Sequence, residues 1–176
     1  MTLIVCPLHE VAGEIARSRP ARVISLLAPD QAVPAVPDGT LRLTLRFHDI
    51  AAPAAGLVAP DRAMIEALLA FGAAWSEPQP LLVHCWMGIS RSPAAAFVLA
   101  CAVDPVRDEK DVAHALRRAS PSATPNPLIV ELADDLLRRG GGLVQAAAAI
   151  GRGADAPSGA AFRLPARMGP ADGRGA

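Results

Sequence analysis

Nine consecutive residues, His84-Cys85-Trp86-Met87-Gly88-Ile89-Ser90-Arg91-Ser92, combine a nucleophile, a flexible backbone and a fixed cation, with five residues between Cys85 and Arg91. A short loop running into a helix N-terminus can curl so that successive N–H groups converge on one point, a nest for a tetrahedral oxyanion. Gly88 frees the backbone to bend there. Arg91, at the mouth of that helix, offers two parallel guanidinium donors to two oxygens of such an anion, a fork that lysine lacks. The helix dipole and Arg91 favour the thiolate form of Cys85, and His84 beside it is a further candidate source of positive charge. The chemistry implied is attack of a thiolate on phosphorus in a site formed by residues 86–91.

Such a loop needs a rigid strand before it and a helix after it. Leu81, Leu82 and Val83 form a continuous apolar run, as in a strand buried on both faces. Pro93 suits the first turn of a helix, which continues through the small and apolar residues 94–100. Upstream, Leu3 to Cys6 and Arg22 to Ala28 read as strands around a helix from Glu10 to Ser18. Leu41, Leu43, Leu45 and Phe47 alternate with polar residues, which predicts a half-buried strand. Asp61 starts a helix whose apolar stripe includes Met64, Ile65, Leu68, Leu69 and Trp75. Asp108 and Asn126-Pro127 announce two further helices, the second stopping at Gly140. The expected architecture is α/β, with a mostly parallel central sheet covered on both faces. Residues 1–150 are expected to form one catalytic domain. The Gly-, Ala-, Pro- and Arg-rich residues 151–176 are expected to be a loosely docked or disordered tail, with only Phe162 and Leu164 as possible anchors.

Composition narrows the partners. Lys plus Arg and Asp plus Glu each number 17 in 176 residues, so no long-range field draws the chain to nucleic acid or to a membrane. The three cysteines, Cys6, Cys85 and Cys101, fit neither a disulfide framework nor a zinc site, and imply a reducing compartment. The N-terminal apolar run lacks a basic leader, and no apolar stretch is long enough to span a bilayer, so a soluble, cytoplasmic protein is expected.

The His-Cys, five residues, Arg-Ser pattern of His84, Cys85, Arg91 and Ser92 resembles the signature of the cysteine-dependent protein tyrosine phosphatase superfamily. Gly88 and the Ser90-Arg91-Ser92 ending look more like its compact dual-specificity branch, in a small bacterial-type member. The resemblance covers roughly Arg22 to Leu137 in element order. It implies a cysteinyl-phosphate intermediate on Cys85, phosphoryl oxygens held by Arg91, a Ser92 hydroxyl bonded to the departing thiolate, and neither metal nor cofactor. It also implies an upstream aspartic acid that protonates the leaving oxygen. Asp49 fits that role: it follows the alternating strand and enters a loop of small residues. Asp30 and Asp38 lie in Pro-rich turns, and Asp61 is better explained as a helix start. The partner implied is a phosphorylated substrate, either a phosphoprotein or a small phosphate ester.

Plainer readings stand beside these. Trp86 and Met87 either wall the site or pack beneath it. His84 supports the loop from behind, and Asn126 reads as a helix cap. A reversible disulfide from Cys85 to Cys6 or Cys101 would protect the nucleophile. The alternatives to a phosphatase are a non-catalytic phosphate-binding module and a rhodanese-type sulfur transferase. His48-Asp49 could open a metal-dependent HD site, but the chain lacks suitable further ligands.

Overall fold

The structure, a computed structural model, describes residues 1–167. Five strands and six α-helices follow in the order β1 (Thr2–Pro7), α1 (Val11–Ser18), β2 (Arg22–Leu27), β3 (Leu41–Arg46), α2 (Arg62–Ala73), β4 (Leu81–Cys85), α3 (Arg91–Val103), α4 (Glu109–Ala119), α5 (Pro127–Leu137), α6 (Gly142–Ala149) and β5 (Phe162–Pro165). They build one sheet in the order β3-β2-β4-β1-β5. The first four strands are parallel; β5 runs antiparallel to β1.

The continuous apolar run becomes the middle strand β4, whose five residues are all buried. The alternating segment becomes the edge strand β3: Leu41 is exposed at its start, whereas Leu45 and Phe47 are buried at the end that leads to Asp49. One face of the sheet is covered by α1, which packs Val11 and Ile15 onto Ile4, Cys6, Val23 and Leu82. The larger core lies on the other face, with α3 buried from Arg91 to Cys101. Its alanines let neighbouring helices come close, and a Cβ on Gly72 of α2 would collide with Leu99 Cδ2.

Helix ends follow local chemistry. The side chain of Asp61 accepts from Met64 N at 2.8 Å and that of Asp108 from Lys110 N at 2.7 Å, two N-terminal caps. The α5 helix stops at Leu137 instead of reaching Gly140, because Arg138 turns left-handed at φ 53°. The buried Asp134 carboxylate then accepts from Gly141 N (2.6 Å) and Leu143 N (2.7 Å) and so starts α6, whose run of alanines favours a helix but which has no side-chain cap of its own.

The expectation of a loosely docked or disordered tail from residue 151 needs correction over 151–167. Phe162 and Leu164 are buried and pair with Val5 and Leu3, so β5 completes the sheet. Burying each such side chain contributes roughly 1.5–3 kcal/mol, which a polar tail could not supply. Residues 168–176 lie outside the described residues.

Candidate active site

The Cys85 loop leaves the C-terminal end of β4 and enters α3, where parallel strands point their C-terminal ends toward a crevice. Cys85, only 2% exposed, accepts from Gly88 N at 3.3 Å and lies 3.1 Å from the Ser92 hydroxyl. Gly88 adopts φ +70°, and a Cβ there would come within 2.8 Å of Pro7 N, so glycine is required on both counts.

Arg91 is 5% exposed. Its Nη1 donates to the Phe47 carbonyl at 3.0 Å, which fixes the guanidinium beside the end of β3. Its Nε is buried without a hydrogen-bond partner; Asp49 Oδ2, at 3.9 Å, is too far to accept one. Ser90 occupies the N-cap position of α3, yet its hydroxyl donates to Asp49 Oδ1 at 2.7 Å, so the first-turn amides carry no side-chain cap.

Asp49 therefore meets the Cys85 loop through Ser90. A second donor reaches the same oxygen, Asn126 Nδ2 at 2.8 Å, while Asn126 Oδ1 caps α5 by accepting from Ile129 N at 3.1 Å. Reading Asn126 as a cap alone misses half of it. An amide can cap with its oxygen while its NH₂ donates elsewhere, and it is the contact to Asp49 that reveals the second role.

A cavity of ≈ 470 Å³ is lined by Asp49, Cys85, Trp86, Met87, Ile89, Ser90 and Arg91, together with Gln31, Ala156 and Pro157. Asp30, Asp38 and Asp61 are not among its lining residues. Trp86 and Met87 are 49% and 38% exposed, so they wall the cavity instead of packing beneath it. Arg91 is the one cation among the lining residues. Gln31, Ala156 and Pro157 carry no chemical signature in the sequence; only the fold brings them here.

His84 is fully buried on β4, with Nε2 2.7 Å from Ser25 Oγ. Burial lowers its pKa to about 4, and the Arg42 and Arg91 charges add to the effect against a backbone contact at Cys85. Neutral at pH 7, it adds no positive charge beside Cys85, contrary to one expectation above. Since the neutral form is the one favoured by folding, the stability it contributes is complete above about pH 6.5 and is lost as pH falls toward 4. Urea unfolding should show about 3 kcal/mol of pH-dependent stability over that window in wild type that is missing in His84→Gln. Identical pH profiles would contradict the neutral, buried imidazole.

Cys6 and Cys101 are buried free thiols, each pushed up to about 12 chiefly by burial. Cys6 stands opposite His84 in the β1–β4 register and belongs to the α1 face, whereas Cys85 belongs to the opposite core. Cys101 lies ten residues into α3 from Arg91, roughly 15 Å along its axis. Cys6 therefore points away from Cys85 across the sheet and Cys101 lies far down α3, so neither is placed for a disulfide to Cys85. Among the described residues no cluster of His, Cys, Asp and Glu suits a metal, and no helix is long and apolar enough to cross a membrane.

No protein-family profile and no curated relative matches the chain. Solved structures do. Human DUSP28 superposes with a TM-score of 0.61 at 22% identity, covering 78% of this chain and 88% of its own. DUSP15 gives 0.59 at 17% identity, covering 84% and 89%. PTPMT1 in complex with PI(5)P gives 0.58 at 14% identity, covering 82% and 91%. At these identities the likeness is one of fold: the mostly parallel five-stranded sheet with flanking helices is that of the dual-specificity phosphatases.

Proposed function

We propose that this chain is a cysteine-dependent phosphatase of the dual-specificity type, which hydrolyses phosphate monoesters through a cysteinyl-phosphate. One observation carries the reading: Asp49, distant in the chain from Cys85 and Arg91, lines a single cavity with them, and Gly88 N–H is directed at the sulfur. The Cys85 thiolate attacks phosphorus, and the bond to the leaving oxygen breaks. Arg91 Nε, buried without a protein partner, and the uncapped amides of α3 supply donors for the phosphoryl oxygens. These donors provide the positive field that the transferring phosphoryl group requires.

Asp49 is the proton donor. Its Oδ1 already accepts from Ser90 and Asn126, so the proton belongs on Oδ2, from which it passes to the leaving oxygen. In the second step the carboxylate takes a proton from water as that water attacks phosphorus. The S–P bond breaks, inorganic phosphate departs, and the Ser92 hydroxyl at 3.1 Å donates to the returning thiolate.

Release of phosphate from an aryl phosphate in chelator tests the reading, and turnover is expected. Asp49→Ala should lower turnover of an alkyl phosphate by about 10²–10⁴-fold while affecting an aryl phosphate with an acidic phenol far less, since only the basic leaving oxygen needs the proton. Equal losses on both would remove Asp49 from this role.

The loop positions between Cys85 and Arg91 carry Trp86, Met87 and Ile89, and Arg91 is the one cation lining the cavity. The substrate is a phosphate monoester on a protein or a small molecule, and Arg152 lines the adjoining cavity that shares Asp49, Ile89 and Ser90. Three free, buried cysteines and a zero net charge fit a reducing, cytoplasmic setting without nucleic-acid or membrane partners. A sulfur transferase or a non-catalytic module would leave Asp49, held at the cavity by two donors, without a task.

A further inference from the structure

Between α6 and β5 the chain crosses the rim of the Cys85 cavity, where Ala156 and Pro157 line it. Two residues later Gly159 N–H donates to the Met87 carbonyl at 2.8 Å, and the Ser158 hydroxyl reaches the same oxygen at 3.4 Å. A trans peptide directs its C=O and the following N–H to opposite sides. Holding Met87 O from outside therefore aims Gly88 N–H inward, and this is the amide 3.3 Å from Cys85 Sγ.

The other outward carbonyls of the loop are held in the same way. Leu8 N donates to Trp86 O at 3.1 Å, Thr124 N to Ile89 O at 2.8 Å and Asn126 N to Ser90 O at 3.3 Å. The Met87–Gly88 peptide is the one most in need of such a hold, because Gly88 tolerates either sign of φ and would permit the peptide to flip. A flipped peptide would turn a carbonyl toward the thiolate and the phosphoryl oxygens, replacing attraction by repulsion. The contact also demands glycine on the connector. A Cβ at Gly159 would lie 2.9 Å from Gly88 O and 3.2 Å from Gly88 C.

We propose that Gly159 is a positioning residue of the phosphate site, and that the connector between α6 and β5 holds the Met87–Gly88 peptide in its anion-binding orientation. The inference rests on the loop being a phosphate nest. Its test reads the nest directly, by comparing alkylation of Cys85 by anionic iodoacetate with that by neutral iodoacetamide, alongside inhibition by tungstate. General loosening of the fold would accelerate both reagents, whereas a lost nest lowers the iodoacetate-to-iodoacetamide ratio selectively.

In Gly159→Ala the ratio, the tungstate affinity and kcat/KM for an aryl phosphate are each expected to fall about tenfold, the scale of a sub-ångström misplacement of a reacting geometry. A second variant, one glycine inserted between Pro157 and Ser158, slackens the connector without touching a buried side chain and should act in the same direction. Arg163→Ala, on the outward face of β5, should leave all three quantities unchanged. Wild-type values in both connector variants, with wild type itself selective and active, would overturn the inference alone. A wild type showing neither anion selectivity nor turnover would overturn the phosphate-site reading, and this inference with it.

Discussion

Cys85→Ser is expected to fold as wild type, to bind tungstate and to release no measurable phosphate. A hydroxyl fits the space of the thiol, so the burial of residue 85 and its contacts with Gly88 N–H and Ser92 persist. What is lost is the nucleophile, because an alcohol is a far weaker attacking group toward phosphorus than a thiolate. Loss of a covalent nucleophile costs at least about 10⁴-fold in turnover. The dissociation between retained tungstate binding and absent turnover separates chemistry from structure. Hydrolysis within about tenfold of wild type in this variant would exclude Cys85 as nucleophile.

Arg91→Lys should be nearly as damaging, although the charge is kept. The guanidinium divides its donors: Nη1 serves the Phe47 carbonyl, while Nε remains without a protein partner. An ammonium is a point charge on a flexible stem and cannot hold the Phe47 carbonyl while presenting a planar pair to phosphoryl oxygens. We expect kcat/KM for an aryl phosphate to fall by about 10²–10³-fold with weakened tungstate inhibition, the usual consequence of losing a preorganised donor. A loss below about threefold would mean that only the charge of Arg91 matters.

Much of this site could be read before any coordinates. The loop 84–92 concentrates its chemistry in one stretch, and the short apolar run before it fits an interior strand, so β4, Cys85 and Arg91 follow from local pattern. Asp49 was reachable because β3 alternates cleanly toward it. The elements that were missed depend on distant partners. The α6 helix has no cap of its own; Asp134 of the preceding helix supplies it. The β5 strand has four residues, too few for a period, and forms because Leu3 and Val5 of β1 offer an open edge. His84 looked like a possible cation until its burial at Ser25 made it neutral. Asn126 and Gly159 look like ordinary cap and loop residues, and only contacts to Asp49 and Met87 distinguish them.

The most direct measurement is acid-quenched mass analysis of wild type and Cys85→Ser during turnover of an aryl phosphate in chelator. The expected result is one phosphoryl group on the wild-type chain, mapped to the peptide containing Cys85, labile under conditions that cleave thiophosphates and absent from Cys85→Ser. Phosphate release that continues in Cys85→Ser, with no adduct on Cys85 in either protein, would contradict the cysteinyl-phosphate mechanism.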